Sequence, residues 1–347
     1  MNVLSVSYHG CIRVVKEGLA LLNAGVPVDF MAIRIANREM QVMLPSISFY
    51  DRPETYKIKL GHAKADLLHI HNEPDWLVHV AKEARPDLPL VYDCHDLNCM
   101  RLGQAQLDEV LAMKAADAYI FPSEPYMEGA IKYHNLSPDK PKAVIYSMCL
   151  DKMIVEGNEM PRVGGIAYEG GMNVLSSDAS EEQRQVYGYR DYRPIAEALT
   201  GMGIPFIVYS SNNRFMYEYM MAGAMYISTL QHNLLLRELT RHDWGLVGAA
   251  RPHPQADTAM PNKLFEYMTA GIPPIVLNSA EAGKFVEHHG IGVVVDRVED
   301  IPKVYKEHEK YRKRVQEVRH DFTMESQVPK IKAIYDTLLE GKGKANG

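Results

Sequence analysis

The chain has 347 residues, 46% of them hydrophobic and 24% charged, with a formal net charge of −6. That length leaves room for two domains of ordinary size, and the mild acidity argues against a broad nucleic-acid-binding face. No run of about 18 uninterrupted apolar residues is present to form a membrane-spanning helix.

Residues 1–8 lack a basic region and a cleavage site and read as a first strand, not a signal peptide. Short apolar runs then alternate with helical patterns, the rhythm of a parallel α/β fold. In the first half the runs predict strands over 3–8, 28–33, 67–71, 90–93, 118–122 and 143–147. Helical periodicity falls between them, over 12–24, 75–84, 107–116 and 126–133. Residues 34–56 are irregular, with one further strand candidate at 45–49. The stretch 151–163 carries charges, a glycine and a proline without an apolar period, and reads as a linker. Strands follow over 165–168, 206–209, 225–228, 245–247, 274–277 and 293–296. Residues 301–339 are mostly helical and highly charged, and the tail 341–347 is expected to be disordered. The expected organisation is one Rossmann-like domain over 1–150, the linker over 151–163, a second such domain over 164–320, and a terminal helix and tail over 321–347. Cys11, Cys94, Cys99 and Cys149 form no CxxC pair and no metal-ligand spacing, so reduced thiols in a cytosolic chain are expected.

Ligands of doubly wound folds bind beyond the carboxyl ends of the strands, so the residues just past each strand are the candidates. The first strand runs into His9, Gly10 and Arg13. An arginine in a helix's first turn is opposed by the helix dipole, so Arg13 meets either a ligand or a partner carboxylate. Strand 67–71 places His69 and His71 on one face, His69 reading as an interior or interdomain histidine. Asn72 and Glu73 follow, placed to meet a hydroxyl or to close a turn and start the next helix. Strand 90–93 leads into His95 and Asp96. His95 suits either a hydrogen bond to a ligand hydroxyl or a proton relay. Gly170 and Gly171 follow the strand at 165–168. The polar stretch 173–189 reads as a functional or disordered loop, and Arg190 and Arg193 lie at the start of a helix over 191–199. The methionines within 217–225 read as core filler. Neither G-x-G-x-x-G nor a P-loop pattern occurs, which disfavours dinucleotide oxidoreductases and P-loop NTPases.

The most informative segment is PNKLFEYMTAG over 261–271, ahead of an apolar strand. Asn262 reads as the helix N-cap and Gly271 as its stop. Such a helix start offers unpaired N–H groups and partial positive charge to an anion, and Lys263 adds a full charge. Glu266, one turn on, can accept hydrogen bonds from a ribose diol. The same residues also suit a buried helix bearing an exposed Lys263–Glu266 ion pair.

This segment resembles the donor-site motif of glycosyltransferases with the GT-B fold, especially the retaining family 4. The resemblance implies an α/β fold of two doubly wound Rossmann-like domains facing a central cleft. It implies that Asn262, Lys263 and Leu264 hold the diphosphate of a sugar nucleotide and that Glu266 holds its ribose. Glu266 matches the second glutamate of the family's Glu-x7-Glu pattern, whereas the first glutamate's position is Thr258. Gly170 and Gly171 match the family's glycine loop. Relatives carry an arginine where Gly171 stands, so Arg190 and Arg193 are the candidate replacements. His95 matches the histidine of the family's "H-D-L" strand end, which faces the donor sugar. Glu73, Asn72, His9, Gly10 and Arg13 would fall on the acceptor side.

The implied reaction moves a sugar, with retention, from a nucleoside diphosphate to an acceptor hydroxyl, with no bound metal or cofactor. A cytoplasmic location follows, with contact at the inner face of a membrane left open. Other readings remain. Thr258 and the displaced arginines motivate a non-catalytic sugar-nucleotide-binding subunit. A GT-B epimerase would need an "S-G-G-x-x-E-E" segment that is absent here, and transfer to a nucleic-acid base is disfavoured by the net charge.

Overall fold

The computed structural model describes residues 1–35, 44, 46–157, 160–228 and 230–345. It divides into two compact units, Met1–Leu150 with Met324–Gly347, and Asp151–Thr323.

The first unit is built on β1 (Val3–Gly10), β2 (Val28–Ile35), β3 (Ile47–Phe49), β4 (Leu67–His71), β5 (Leu90–Asp93), β6 (Ala118–Phe121) and β7 (Lys142–Val144). These form one sheet in the order β3-β2-β1-β4-β5-β6-β7, with every neighbouring pair parallel. Its central strands are short apolar runs buried on both faces, as a helix-covered parallel sheet requires. The order reverses between β1 and β4, so their carboxyl ends flank the crevice where ligands of such sheets bind. The helix Ile12–Asn23 follows β1 and buries Val14, Val15 and Leu19. A Cβ on its Gly18 would lie 2.4 Å from the Phe30 ring, so glycine lets this helix approach β2. The helix Met324–Ala345 completes the unit with Val328, Ile331, Ile334 and Tyr335 all buried.

The second unit repeats the plan with β8 (Ile166–Glu169), β9 (Phe206–Ser210), β10 (Met225–Ser228), β11 (Trp244–Gly248), β12 (Pro274–Leu277) and β13 (Val293–Val295). They form a parallel sheet in the order β10-β9-β8-β11-β12-β13, reversing between β8 and β11. Its core gathers Trp244, Tyr168, Phe206, Ile195 and Leu199. The Trp244 indole donates to the Tyr305 carbonyl at 2.9 Å.

Three expectations are corrected. The stretch 173–189 is not all loop, because Glu181–Tyr187 is a helix with a reciprocal capping box between Ser180 and Gln183. The methionines around 217–225 are not core filler: Met220, Met221 and Met225 are 55, 69 and 55% exposed. The tail is helical as far as Ala345, since extending a docked helix costs far less than nucleating one. Of the strand candidate at 45–49, Pro45 lies outside the described residues, as do residues 36–43; Ile47–Phe49 forms the edge strand β3. Among the described residues, no helix is long and apolar enough to cross a membrane.

Candidate functional site

In the second unit the helix Asn262–Ala270 carries the expected donor residues. Pro261, in extended conformation, holds the N-cap position, so Asn262 is the exposed first helical residue and not the cap. The Leu264 N–H donates to the Pro261 carbonyl at 3.1 Å. Gly271 ends the helix in the left-handed region at φ 74°. Leu264, Phe265, Tyr267 and Met268 are buried beneath it. The Tyr267 hydroxyl accepts from the Glu169 N–H at 3.1 Å, tying the helix to the end of β8.

This tie sets Lys263 beside the glycine bend. Its Nζ lies 3.7 Å from the centre of the Tyr168 ring, a cation–π contact. A Cβ on Gly170 would stand 3.3 Å from Nζ, and Gly170 has φ +123°. A Cβ on Gly171 would stand 3.7 Å from Arg190 Nη1. Two cations therefore border one bare turn of backbone. Burial pulls the Lys263 ammonium down to about 8, opposed by Glu169, reinforced by Arg190 and opposed again by Glu266. Arg190 is exposed and lies over the Tyr189 ring at 5.0 Å, and Tyr189 stacks on His253 at 4.1 Å.

Arg193 is placed differently. Its guanidinium donates to both oxygens of Asp191 and to the Leu175 carbonyl, which holds the loop ahead of its helix. Glu266 is 5% exposed, and its Oε1 lies 3.0 Å from His232 Nε2. An exposed Lys263–Glu266 pair does not describe it. The Thr258 hydroxyl donates to the Pro254 carbonyl at 2.9 Å, within its own turn.

The first unit gathers charge at its strand ends. Arg13 is buried, and its guanidinium forks onto Asp93 (Nε to Oδ2 3.2 Å, Nη2 to Oδ1 2.9 Å). The partner carboxylate that its position called for is thus present. The register sets His71 opposite Asp93, with Nδ1 at 3.1 Å from Oδ2. His95 Nε2 lies 3.4 Å from the same oxygen. Burial pushes Asp93 up, but Arg13 and then His95 override it and hold the carboxyl well below the usual range. Burial also pulls His95 down, but the charge and hydrogen bond of Asp93, with Cys11 after them, raise it to about 10. His71 is lowered by burial to about 4.

The other acceptor-side candidates scatter. Asn72 spends its amide on the turn, with Oδ1 accepting from the His95 N–H and Nδ2 donating to Asp75 and the Asp96 carbonyl. Glu73 is exposed and pairs with Arg101 at 3.1 Å. His9 packs edge-on against Tyr8, and Gly10 is the buried last residue of β1. His69 is interior, as expected, with Nδ1 2.6 Å from the Tyr335 hydroxyl. Sequence reasoning pointed to the loop 251–254 that holds His253 but missed Asp93, Glu17 and the stacking of Tyr189 on His253. The available signal was an aspartate ending an apolar strand two residues before His95.

The C-terminal-domain model of the glucosyltransferase 3-like family matches residues 188–324. No curated protein matches the chain. Several solved structures are similar over almost its full length. HepE of Anabaena, in complex with UDP-glucose, has a TM-score of 0.72 at 13% identity, covering 97% of this chain and 99% of that one. The sucrose-phosphate synthase of Thermosynechococcus elongatus has 0.68 at 15%, covering 98% and 100%. An alpha-glucosyltransferase in complex with UDP and a DNA 13-mer has 0.67 at 10%, covering 97% and 99%. The fold is the GT-B fold of glycosyltransferases, two doubly wound Rossmann-like domains.

Proposed function

We propose that this chain is a retaining glycosyltransferase akin to family 4, moving a sugar from a nucleoside diphosphate to an acceptor hydroxyl without a metal. The observation that carries the reading is the Lys263–Arg190 pair bordering the Gly170–Gly171 turn at the start of a helix. A pyrophosphate there could approach the side-chain-free turn closely and would take charge from both side chains, the Gly170 N–H itself being held by the Tyr209 carbonyl. Asn262 supplies first-turn backbone, Leu264, whose N–H serves the Pro261 carbonyl, seats the turn from beneath, and Glu266 with its partner His232 is the proposed ribose acceptor. As the bond from C1 to the diphosphate breaks, negative charge grows on the leaving oxygen, and preorganised cations stabilise it. The acceptor oxygen bonds to C1 on the same face, and its proton passes to the leaving phosphate. His95 is the proposed polar group for this step, with His9, Gly10, Arg13, Asn72 and Glu73 on the acceptor side and Arg193 supporting Arg190. The proposed location is cytoplasmic, where Cys11, Cys94, Cys99 and Cys149 would stay reduced.

The likeness of the domain model and the UDP complexes supports a sugar nucleotide as donor. One observation favours a second reading, a non-catalytic binding subunit: Thr258, at the place of the family's first glutamate, turns its hydroxyl into its own helix. Incubation with a panel of sugar nucleotides and hydroxyl acceptors, followed by NMR of the product's anomeric centre, tests both. The transferase reading predicts product with the donor's anomeric configuration. Inversion contradicts retention, and tight donor binding without turnover across the panel replaces the reading with the binding subunit.

A further inference from the structure

The buried charges of the first unit converge on one partly exposed imidazole. Arg13, Asp93, Glu17, His69 and His71 have side chains no more than 5% exposed, whereas that of His95 is 16% exposed. Asp93 is the hub, with Arg13 forked across both oxygens and His71, His95 and His69 within 3.1, 3.4 and 3.7 Å of Oδ2. The Arg13 Nη1 also donates to the Ile145 carbonyl at 3.0 Å, so the guanidinium and the carboxylate it grips are fixed.

The hydrogen placement follows from the distances. His71 Nε2 lies 3.2 Å from the Ser5 hydroxyl, and its Nδ1 is nearest to Asp93. A neutral His71 therefore donates from Nδ1 to Asp93 and accepts from Ser5 at Nε2. His95 Nε2, 3.2 Å from that same Nδ1, meets an N–H and a carboxylate oxygen. A bare lone pair at Nε2 would be repelled by the carboxylate, so Nε2 carries hydrogen and directs it at Asp93. Charge balance decides the second ring nitrogen. Glu17 is buried, neither of its oxygens has a hydrogen-bond partner among the described residues, and Oε1 lies 3.3 Å from His69 Nε2. Burial raises the Glu17 carboxyl to about 7, so it adds a second negative charge only above that value, whereas Asp93 is held ionised throughout. A balancing cation costs least in desolvation on the partly exposed His95 ring.

We infer that Asp93 is a positioning residue that holds His95 as a hydrogen-bond-donating imidazolium, so that in any transfer His95 serves as a hydrogen-bond donor and does not act as a base. The role in transfer rests on the glycosyltransferase reading; the charge state of His95 does not. The groups that act on His95 are Cys11 at the cap of the first helix and Glu17 within it, His71 from β4 and Asp93 from β5; Arg13 and His69 reach it through Asp93, and Tyr335 through His69.

The test is a titration of the full chain, labelled with nitrogen-15 at histidine, followed by NMR and assigned with His95→Gln. The His95 midpoint is expected above about 8, against an ordinary value of about 6.5. A midpoint at or below about 7 overturns the inference, because a neutral ring is free to act as a base. In Asp93→Asn the midpoint should drop below about 7 and kcat fall at least about tenfold, with donor KM changed by less than about twofold. An unchanged midpoint in that variant removes the role from Asp93. Should Asp93→Asn fail to fold around an unpaired Arg13, Arg13→Gln with Asp93→Asn removes both charges and is read the same way. The midpoint is measured without substrate, so an inactive protein leaves the charge-state inference testable. Active transfer with a low midpoint overturns it and leaves the transferase reading standing.

Discussion

Lys263 is the residue whose charge state governs the proposed donor site. Its ammonium is brought down to about 8, first by burial, with Glu169, Arg190 and Glu266 modifying the effect. Below that value it is cationic and attracts a diphosphate; above it, the charge is lost. Nucleoside diphosphate affinity is therefore expected to hold steady up to about pH 7 and to fall as pH rises through about 8. Lys263→Met should bind weakly and without that slope. Calorimetry at stepped pH checks both, and a wild-type affinity flat to about pH 9.5 would remove Lys263 from the site. The sign for stability is opposite. The folded state binds fewer protons than the unfolded chain between about 8 and 10.5, so this group's contribution improves as pH rises across that window. The helix that carries Lys263 and Glu266 was legible because its residues spell a motif. Asp93 was not, because an aspartate ending a strand looks like any turn residue until the register sets it opposite His71.

At the scale of elements, close approach decides which positions tolerate change. Gly248 ends β11 at φ +108°, and a Cβ there would lie 1.9 Å from the Leu277 carbonyl oxygen on neighbouring β12. Gly248→Ala forces both a left-handed side chain and a backbone shift, and is expected to cost about 3 kcal/mol or more. Urea denaturation measures this, and a loss below about 1 kcal/mol would show that the strand end yields freely. Strands were the most legible elements. β4, β5, β10 and β12 have the ends their apolar runs predicted. The helix Glu181–Tyr187 escaped notice because it carries no buried residue, and only Ser180 with Gln183 announces it. The exposed methionines misled for a related reason. β10 is an edge strand, and of the helix Met216–Met221 beside it only Tyr219 is buried.

Across the whole molecule, each unit repeats one topology, and the C-terminal helix belongs to the first. Val328, Ile331, Ile334 and Tyr335 are at most 4% exposed there. At about 1.5–3 kcal/mol per buried side chain, ending the chain at Thr323 should cost the first unit several kcal/mol. Limited proteolysis should then cut within 1–150 far faster than in the full chain; equal rates would show that the helix contributes little. The repeated strand–helix rhythm made the two-sheet plan legible, whereas the crowding of Asp93 by residues distant in sequence was not, because spacing along the chain does not report register. The most direct test of the account is calorimetric titration of the full chain and of Glu266→Ala with UDP, GDP and ADP. One of the three is expected to bind at a single site, with Glu266→Ala weaker by about 1–3 kcal/mol. No binding of any of them at millimolar concentration, or equal binding by a folded Glu266→Ala, would contradict it.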